Sequence, residues 1–291
     1  MEAMITRTST GQTLRTNSLP MRLYEKAKEG GGWNPSRLDF SADQAHWDSL
    51  KGQDRVPVLA IAVLSAHGLR SQMHNQARML VPIERYGTIE ESLCHSSHMF
   101  ETARFVEFHN RLLEDLFHLV GDPQRFHLTR FRTFFGEHLP EVFDRLEVNA
   151  DRRTLVEALT LTGPLGKGVL GATSSYMMSS MLQRLEIMPT TLSTIRAMRT
   201  AERRHTEFEN FFISKLVEQD PTLWEVVDET MHAGFEPSIG MVREFFDKFT
   251  NTQIARAEAV TYAVERFSEC YERLEKAKEP TFVDHGSRAR S

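Results

Sequence analysis

Apolar residues recur every three to four positions over stretches far longer than a β-strand, and this constrains the chain more than any other feature. Residues 52–83 carry the pattern, with Pro57 admissible only in a first helical turn. Thr88 opens a second stretch, and Glu91 stands three residues on in the spacing of a capping box. That stretch can run to Val120, before Gly121-Asp122-Pro123 stops it. Residues 125–147 read as two shorter helices divided near Leu139-Pro140. Asp151 caps a segment reaching about Glu186, which Gly163-Pro164 interrupts; a proline there must kink the helix or loosen its hydrogen-bond ladder. Pro189-Thr190 starts the next helix, to about Gln219, and helices over 221–232 and 237–276 complete the set. Strand-like alternation is scarce. The chain is therefore expected to be all-α, a core of four helices of roughly 30 residues with additional helices packed around them. One domain spans 19–276, after a disordered segment 1–18 and before a flexible tail 277–291.

Charge and composition remove several function classes. Lys plus Arg number 35 against 40 Asp plus Glu, and no basic block stands out, so nucleic acid is not an expected partner. The longest mainly apolar run, 56–64, is too short to span a bilayer, and the N-terminus has no apolar signal core. Two cysteines, Cys94 and Cys270, exclude a disulfide framework and suit a reducing compartment, so a cytoplasmic location is expected. Twelve histidines direct attention to metal.

One motif carries possible chemistry. Arg199-Thr200-Ala201-Glu202-Arg203-Arg204-His205 contains Glu-x-x-His, and on a helix positions three apart point the same way. Carboxylate-bridged dimetal proteins use two such pairs plus one Glu from each of two further helices. A single pair of this spacing also suits a surface or structural role.

The string Leu19-Pro20-Met21-Arg22-Leu23-Tyr24-Glu25-Lys26-Ala27-Lys28, then Trp33-Asn34-Pro35 and Asp39-Phe40-Ser41, resembles the N-terminal segment of one superfamily. It is that of the ribonucleotide reductase small subunit, in its ligand-binding oxidase branch. The order of the long helices, the Glu202/His205 pair and the helix ending Tyr271-Glu272-Arg273-Leu274 are similar too, so the resemblance covers about residues 19 to 276. It implies a ferritin-like fold, a homodimer, and a dimanganese, diiron or manganese–iron centre that activates oxygen beside a long-chain fatty acid.

Position by position, the resemblance departs from the ligand set it implies. Leu69 stands at the first carboxylate, Thr102 and Phe105 at the first Glu-x-x-His, and Lys167 at the third carboxylate. Glu101 is one residue, about 100°, round its helix from the ligand position and is not expected to substitute. Glu202 and His205 alone remain as metal-binding candidates. The tyrosine–valine crosslink of the branch has no counterpart, because Thr162 and Ser71 occupy those places. One ammonium, Lys167, would neutralise one carboxylate, Glu202, where the family holds four carboxylates that only multivalent cations balance.

The resulting expectation is a degenerate relative that binds a long apolar ligand, a fatty acid or similar, without dimetal oxygen activation. No cofactor is expected. The alternative is an oxidoreductase using a rearranged or mononuclear iron or manganese site on a lipid-like or biosynthetic substrate. His98 and His109, which share a helical stripe with Thr102 and Phe105, are the candidate replacement ligands beside Glu202, His205 and Glu209. As packing or surface features, Glu207/Glu209 and Glu90/Glu91 are expected on solvated faces, and the glycines of 163–171 are expected to permit close helix contact or leave room for a ligand.

Overall fold

A computed structural model describes residues 13–30, 33–119 and 121–276. The expected disorder over 1–12, the tail 277–291 and the helix end at Val120 lie outside the described residues. Among those described there are helices and no strand. They are α1 (Leu19–Gly30), α2 (Ser41–Ser49), α3 (Gly52–Tyr86), α4 (Ile89–Arg111), α5 (Thr129–Arg132), α6 (Leu139–Asn149), α7 (Arg152–Thr160), α8 (Ala172–Arg184), α9 (Pro189–Gln219), α10 (Leu223–Lys248) and α11 (Arg256–Lys276).

Local chemistry sets most of these boundaries. Gly87 ends α3 by donating its N–H to the Ile83 carbonyl at 2.7 Å, and a Cβ there would lie 2.4 Å from that oxygen, so only glycine fits. Thr88 and Glu91 then form the capping box of α4, with Thr88 N–H donating to Glu91 Oε2 at 2.5 Å. Asp151 caps α7 by accepting from Thr154 N–H at 2.8 Å. The N-terminus of α9 is capped from another helix. Met188 is left-handed, Pro189 is the first helical residue, and the wholly buried Asp43 of α2 accepts from Thr190 N–H at 3.0 Å and Thr191 N–H at 2.7 Å.

Prolines behave differently from the sequence expectation. Pro57 lies beyond the first turn of α3, yet the carbonyl it would orphan, that of Gln53, belongs to an exposed residue. Pro237 lies inside α10 and starts nothing; Ala233, four residues back, is exposed, so water can satisfy its carbonyl. The break falls at 249–255 instead, where Asn251 is left-handed. Residues 129–149 run on without division at Pro140, because a π-helical turn at Thr133–His138 precedes α6 and absorbs the missing donor. Gly163-Pro164 loosens its helix into eleven π-helical residues, Leu161–Gly171, that join α7 to α8.

Four long elements close a ring: α3 packs on α4, α4 on α9, α9 on the segment 152–184, and that segment back on α3. Helices α10 and α11 cover the outer side of 152–184, and α1 lies along α4. Leu159, Leu165, Phe208, Phe212 and their neighbours are sealed between these layers. Each such side chain contributes about 1.5–3 kcal/mol of burial. No helix among the described residues is long and apolar enough to cross a membrane.

Candidate functional site

Leu69 from α3, Thr102 and Phe105 from α4, Lys167 from the π-helical segment, and Glu202 and His205 from α9 are all buried in the ring of four. The charged groups among them pair differently from the expectation. Lys167 does not reach Glu202. Its Nζ lies 2.5 Å from Oε1 of Glu209, two turns further along α9, and both side chains are excluded from solvent. Space for this pair comes from Gly163, where a Cβ would sit 2.7 Å from Glu209 Oε2. That oxygen has no hydrogen-bond partner among the described residues.

Glu202 is neutralised one turn away, its Oε2 accepting from Arg199 Nη1 at 2.7 Å. The same guanidinium nitrogen approaches the Lys167 carbonyl at 3.5 Å. His205 uses Nε2 to bond Glu101 Oε2 at 2.8 Å, and Arg204 Nη2 bonds the other oxygen of Glu101 at 2.5 Å. Burial alone would raise Glu101, but the His205 hydrogen bond and the Arg204 charge outweigh it and hold the carboxyl below its usual range. Glu101 thus enters the cluster from the flank of α4, a position that helical phase argued against, because His205 leans toward α4 to meet it. Three carboxylates, Glu101, Glu202 and Glu209, therefore face three cations, Arg204, Arg199 and Lys167.

The histidine stripe of α4 is buried beside this set. The His98 ring lies 4.1 Å from that of His205, between centroids, and its Nε2 is 3.5 Å from Cys94 Sγ. His109 donates from Nδ1 to the Phe105 carbonyl at 2.9 Å. Burial pushes His95 and His109 down to about 4, and His98 well below its ordinary value, so all three rings are neutral near pH 7. Phe105 is stacked beneath Trp33 at 6.1 Å, and Arg104 lies over the Trp33 ring. Thr162 donates to the Ala158 carbonyl at 2.8 Å, a purely local bond.

Of the four acidic residues expected on solvated faces, Glu207 is exposed as expected, while Glu209, Glu90 and Glu91 are inside instead. Glu209 is fully buried beside Lys167, while Glu91 bonds Lys215 at 2.7 Å and Glu90 accepts from the Arg15 N–H at 2.8 Å. The signal for Glu209 was present in the sequence, since 202, 205 and 209 share one face of α9. The roles of Glu101, Arg199 and Arg204 had no comparable signal.

A cavity of about 120 Å³ adjoins the cluster between α3, α8, α9 and α10. Leu64, Phe135, Leu170, Met178, Met198 and Phe245 supply much of its apolar wall. Leu69, Gln72, His109 and Glu202 also line it, so it runs up to the charged cluster. Gly68, Gly166 and Gly171 keep its wall free of side chains. The small residues of the π-helical segment also permit close helix contact, since Gly168 packs where a Cβ would lie 2.6 Å from Cys270 Sγ.

No family model matches the chain. Among solved structures, an R2-like ligand-binding oxidase with an aerobically reconstituted Mn/Fe cofactor superposes with a TM-score of 0.86 over 91% of this chain and 96% of its own, at 23% identity. The chain has the R2-like ligand-binding oxidase fold. A single-site mutant of such an oxidase, also with an aerobically reconstituted Mn/Fe cofactor, has the same TM-score of 0.86 and identity of 23%, covering 91% of this chain and 97% of its own. A second mutant, reconstituted anaerobically with Mn/Fe, gives 0.86 at 23% identity over 91% and 96%. The ferritin-like, all-α expectation is thereby met.

The same structures correct the expectation of no cofactor, because these R2-like oxidases carry Mn/Fe. Tested against that cofactor, the residues of this chain make a different set. Leu69 and Phe105 offer no lone pair, Lys167 places an ammonium inside the ring, and Glu101, Glu202 and Glu209 are each already bonded to a cation. Among the described residues no three or more His, Cys, Asp or Glu side chains are gathered so as to hold a metal ion. The residues do not fit a dinuclear centre built from four carboxylates and two histidines.

Proposed function

We propose that this protein binds the inner end of an elongated apolar ligand in the cavity beside Glu202, the rest of the chain leaving through the cavity's open side, within an R2-like fold whose dimetal position has been rebuilt as a set of ion pairs. The observation that carries the reading is the continuity of the cavity with that position. Leu69 and Glu202, which stand where the resemblance implies metal ligands, line the same space as Met178, Met198 and Phe245. An apolar chain would exclude water from that wall at about 25 cal/mol per Å² of surface covered. The three ion pairs make the inner end neutral without further charge. The neighbours named above are ligand-binding oxidases, which supports a ligand in this place.

The reading includes a homodimer and a cytoplasmic location. Ile89 and Phe100 are exposed, and their spacing puts them on one face of α4, which suits a second copy. Cys94 and Cys270 are free and buried, as expected in a reducing compartment.

The test is to purify the full chain, extract it with organic solvent and identify co-purifying lipid by mass spectrometry, beside a Ser174→Phe variant. Ser174 lines the cavity and its hydroxyl lies 2.9 Å from that of Ser65, so the larger ring would fill the space. Lipid present in the native chain and absent from a folded Ser174→Phe is the expected result. Equal lipid content in both would overturn the reading.

A further inference from the structure

The hydrogen-bonding groups at the inner end of the cavity narrow the ligand class, on the footing that the apolar-ligand reading above holds. Three polar side chains there, Gln72, His109 and Glu202, are each more than nine-tenths buried. Glu202 spends Oε2 on Arg199. Its Oε1 takes no hydrogen bond among the described residues, and it points at Gly171, where a Cβ would lie 3.7 Å away on the cavity wall.

His109 offers a second acceptor. A carbonyl can only accept, so the 2.9 Å contact with the Phe105 oxygen places the hydrogen on Nδ1 and leaves a lone pair on Nε2. Burial keeps that ring neutral, down to about pH 4. Gln72 supplies an amide that can donate or accept. The cations nearby are already engaged: Arg199 by Glu202, Lys167 by Glu209 and Arg204 by Glu101.

We propose that the ligand is an apolar chain ending in a hydrogen-bond donor, a primary alcohol, and that a carboxylate end is disfavoured. The hydroxyl donates to Glu202 Oε1 or His109 Nε2 and accepts from the Gln72 amide. A carboxylate entering the same end would meet the Glu202 carboxylate and the His109 lone pair, with no unengaged cation to offset its desolvation.

Calorimetric titration of the full chain at neutral pH with dodecanol and with dodecanoic acid tests this. Dodecanol is expected to bind about tenfold or more tightly. Glu202→Gln removes the like charge and adds a donor, so dodecanoate affinity should rise and the preference shrink to about threefold or less. If that variant fails to fold, as judged by circular dichroism, His109→Gln is read in its place, with the same narrowing expected. Dodecanoate binding the native chain as tightly as dodecanol, or a preference unchanged in the folded variant, overturns the alcohol assignment and leaves the apolar-ligand reading standing. Absence of binding by either chain overturns both.

Discussion

Lys167 and Glu209 meet at 2.5 Å inside the bundle, each side chain at 1% exposure or less. One comes from a π-helical segment and the other from the middle of α9, so the pair ties together two sides of the ring of four. Breaking such a pair by removing one partner leaves an uncompensated buried charge, at a cost of about 3–5 kcal/mol. Lys167→Met should lower the urea unfolding free energy by that amount. The double variant Lys167→Met/Glu209→Leu should recover most of it, because neither charge then remains. A double variant as unstable as the single would show that packing, and not charge, sets the cost.

Gly163 makes room for the same pair. Gly163→Ala places a Cβ 2.7 Å from Glu209 Oε2 and 2.9 Å from its Cβ, and the close approach of α9 leaves little room to yield. A loss of about 1–3 kcal/mol is expected in denaturant unfolding. Gly136→Ala is the matched control, since its added Cβ meets nothing within 4 Å and alanine is the better helix former. That variant should be neutral or slightly stabilising.

The trans-cap of α9 depends on Asp43. Asp43→Ala orphans the N–H groups of Thr190 and Thr191 and the Thr191 hydroxyl, which donates to Asp43 Oδ2 at 2.7 Å. Thermal unfolding should show a loss of about 2–3 kcal/mol. Because α9 also carries Glu202, His205 and Glu209, dodecanol affinity should weaken in the same variant.

Stability should fall as the medium is acidified from about pH 6.5, the ordinary histidine value. His95 and His109 are pushed down to about 4 by burial in the folded chain, and His98 lies well below its ordinary value. Between about pH 6.5 and 4 the unfolded chain binds protons at these rings that the folded chain does not, so the unfolding free energy rises with pH across that window. Glu90 acts in the same direction but lower. Burial raises it, yet hydrogen bonds from Thr88 and Arg15 prevail and hold it at about 2, so its contribution is lost as pH falls below about 4.5. Urea midpoints between neutrality and pH 4.5 check the histidine part. His98→Phe should flatten the slope, and an unchanged slope would exclude His98 as a source.

Within a helix turn, the residues specify their own structure. Thr88 with Glu91, Asp151 with Thr154, and Pro189 at the start of α9 all stand where spacing predicts them, because a local cap joins groups within about three residues, unlike the Asp43 cap of α9. Proline placement was less legible. Whether Pro237 ends a helix or rides inside one depends on whether the Ala233 carbonyl reaches water, which is a property of the surface.

By sequence alone this protein is a bundle of long helices in which Leu69 and Phe105 cannot act as ligands, since side-chain chemistry is independent of fold. Which cation neutralises which carboxylate was decided only in three dimensions. Lys167 and Glu209 are 42 residues apart and His205 and Glu101 are 104 apart, so both contacts depend on how two helices are phased. The π-helical run Leu161–Gly171 has its own phase, unlike that of an α-helix, and so sets where Lys167 meets α9. Glu202 is thereby left to Arg199, with one oxygen turned to the cavity.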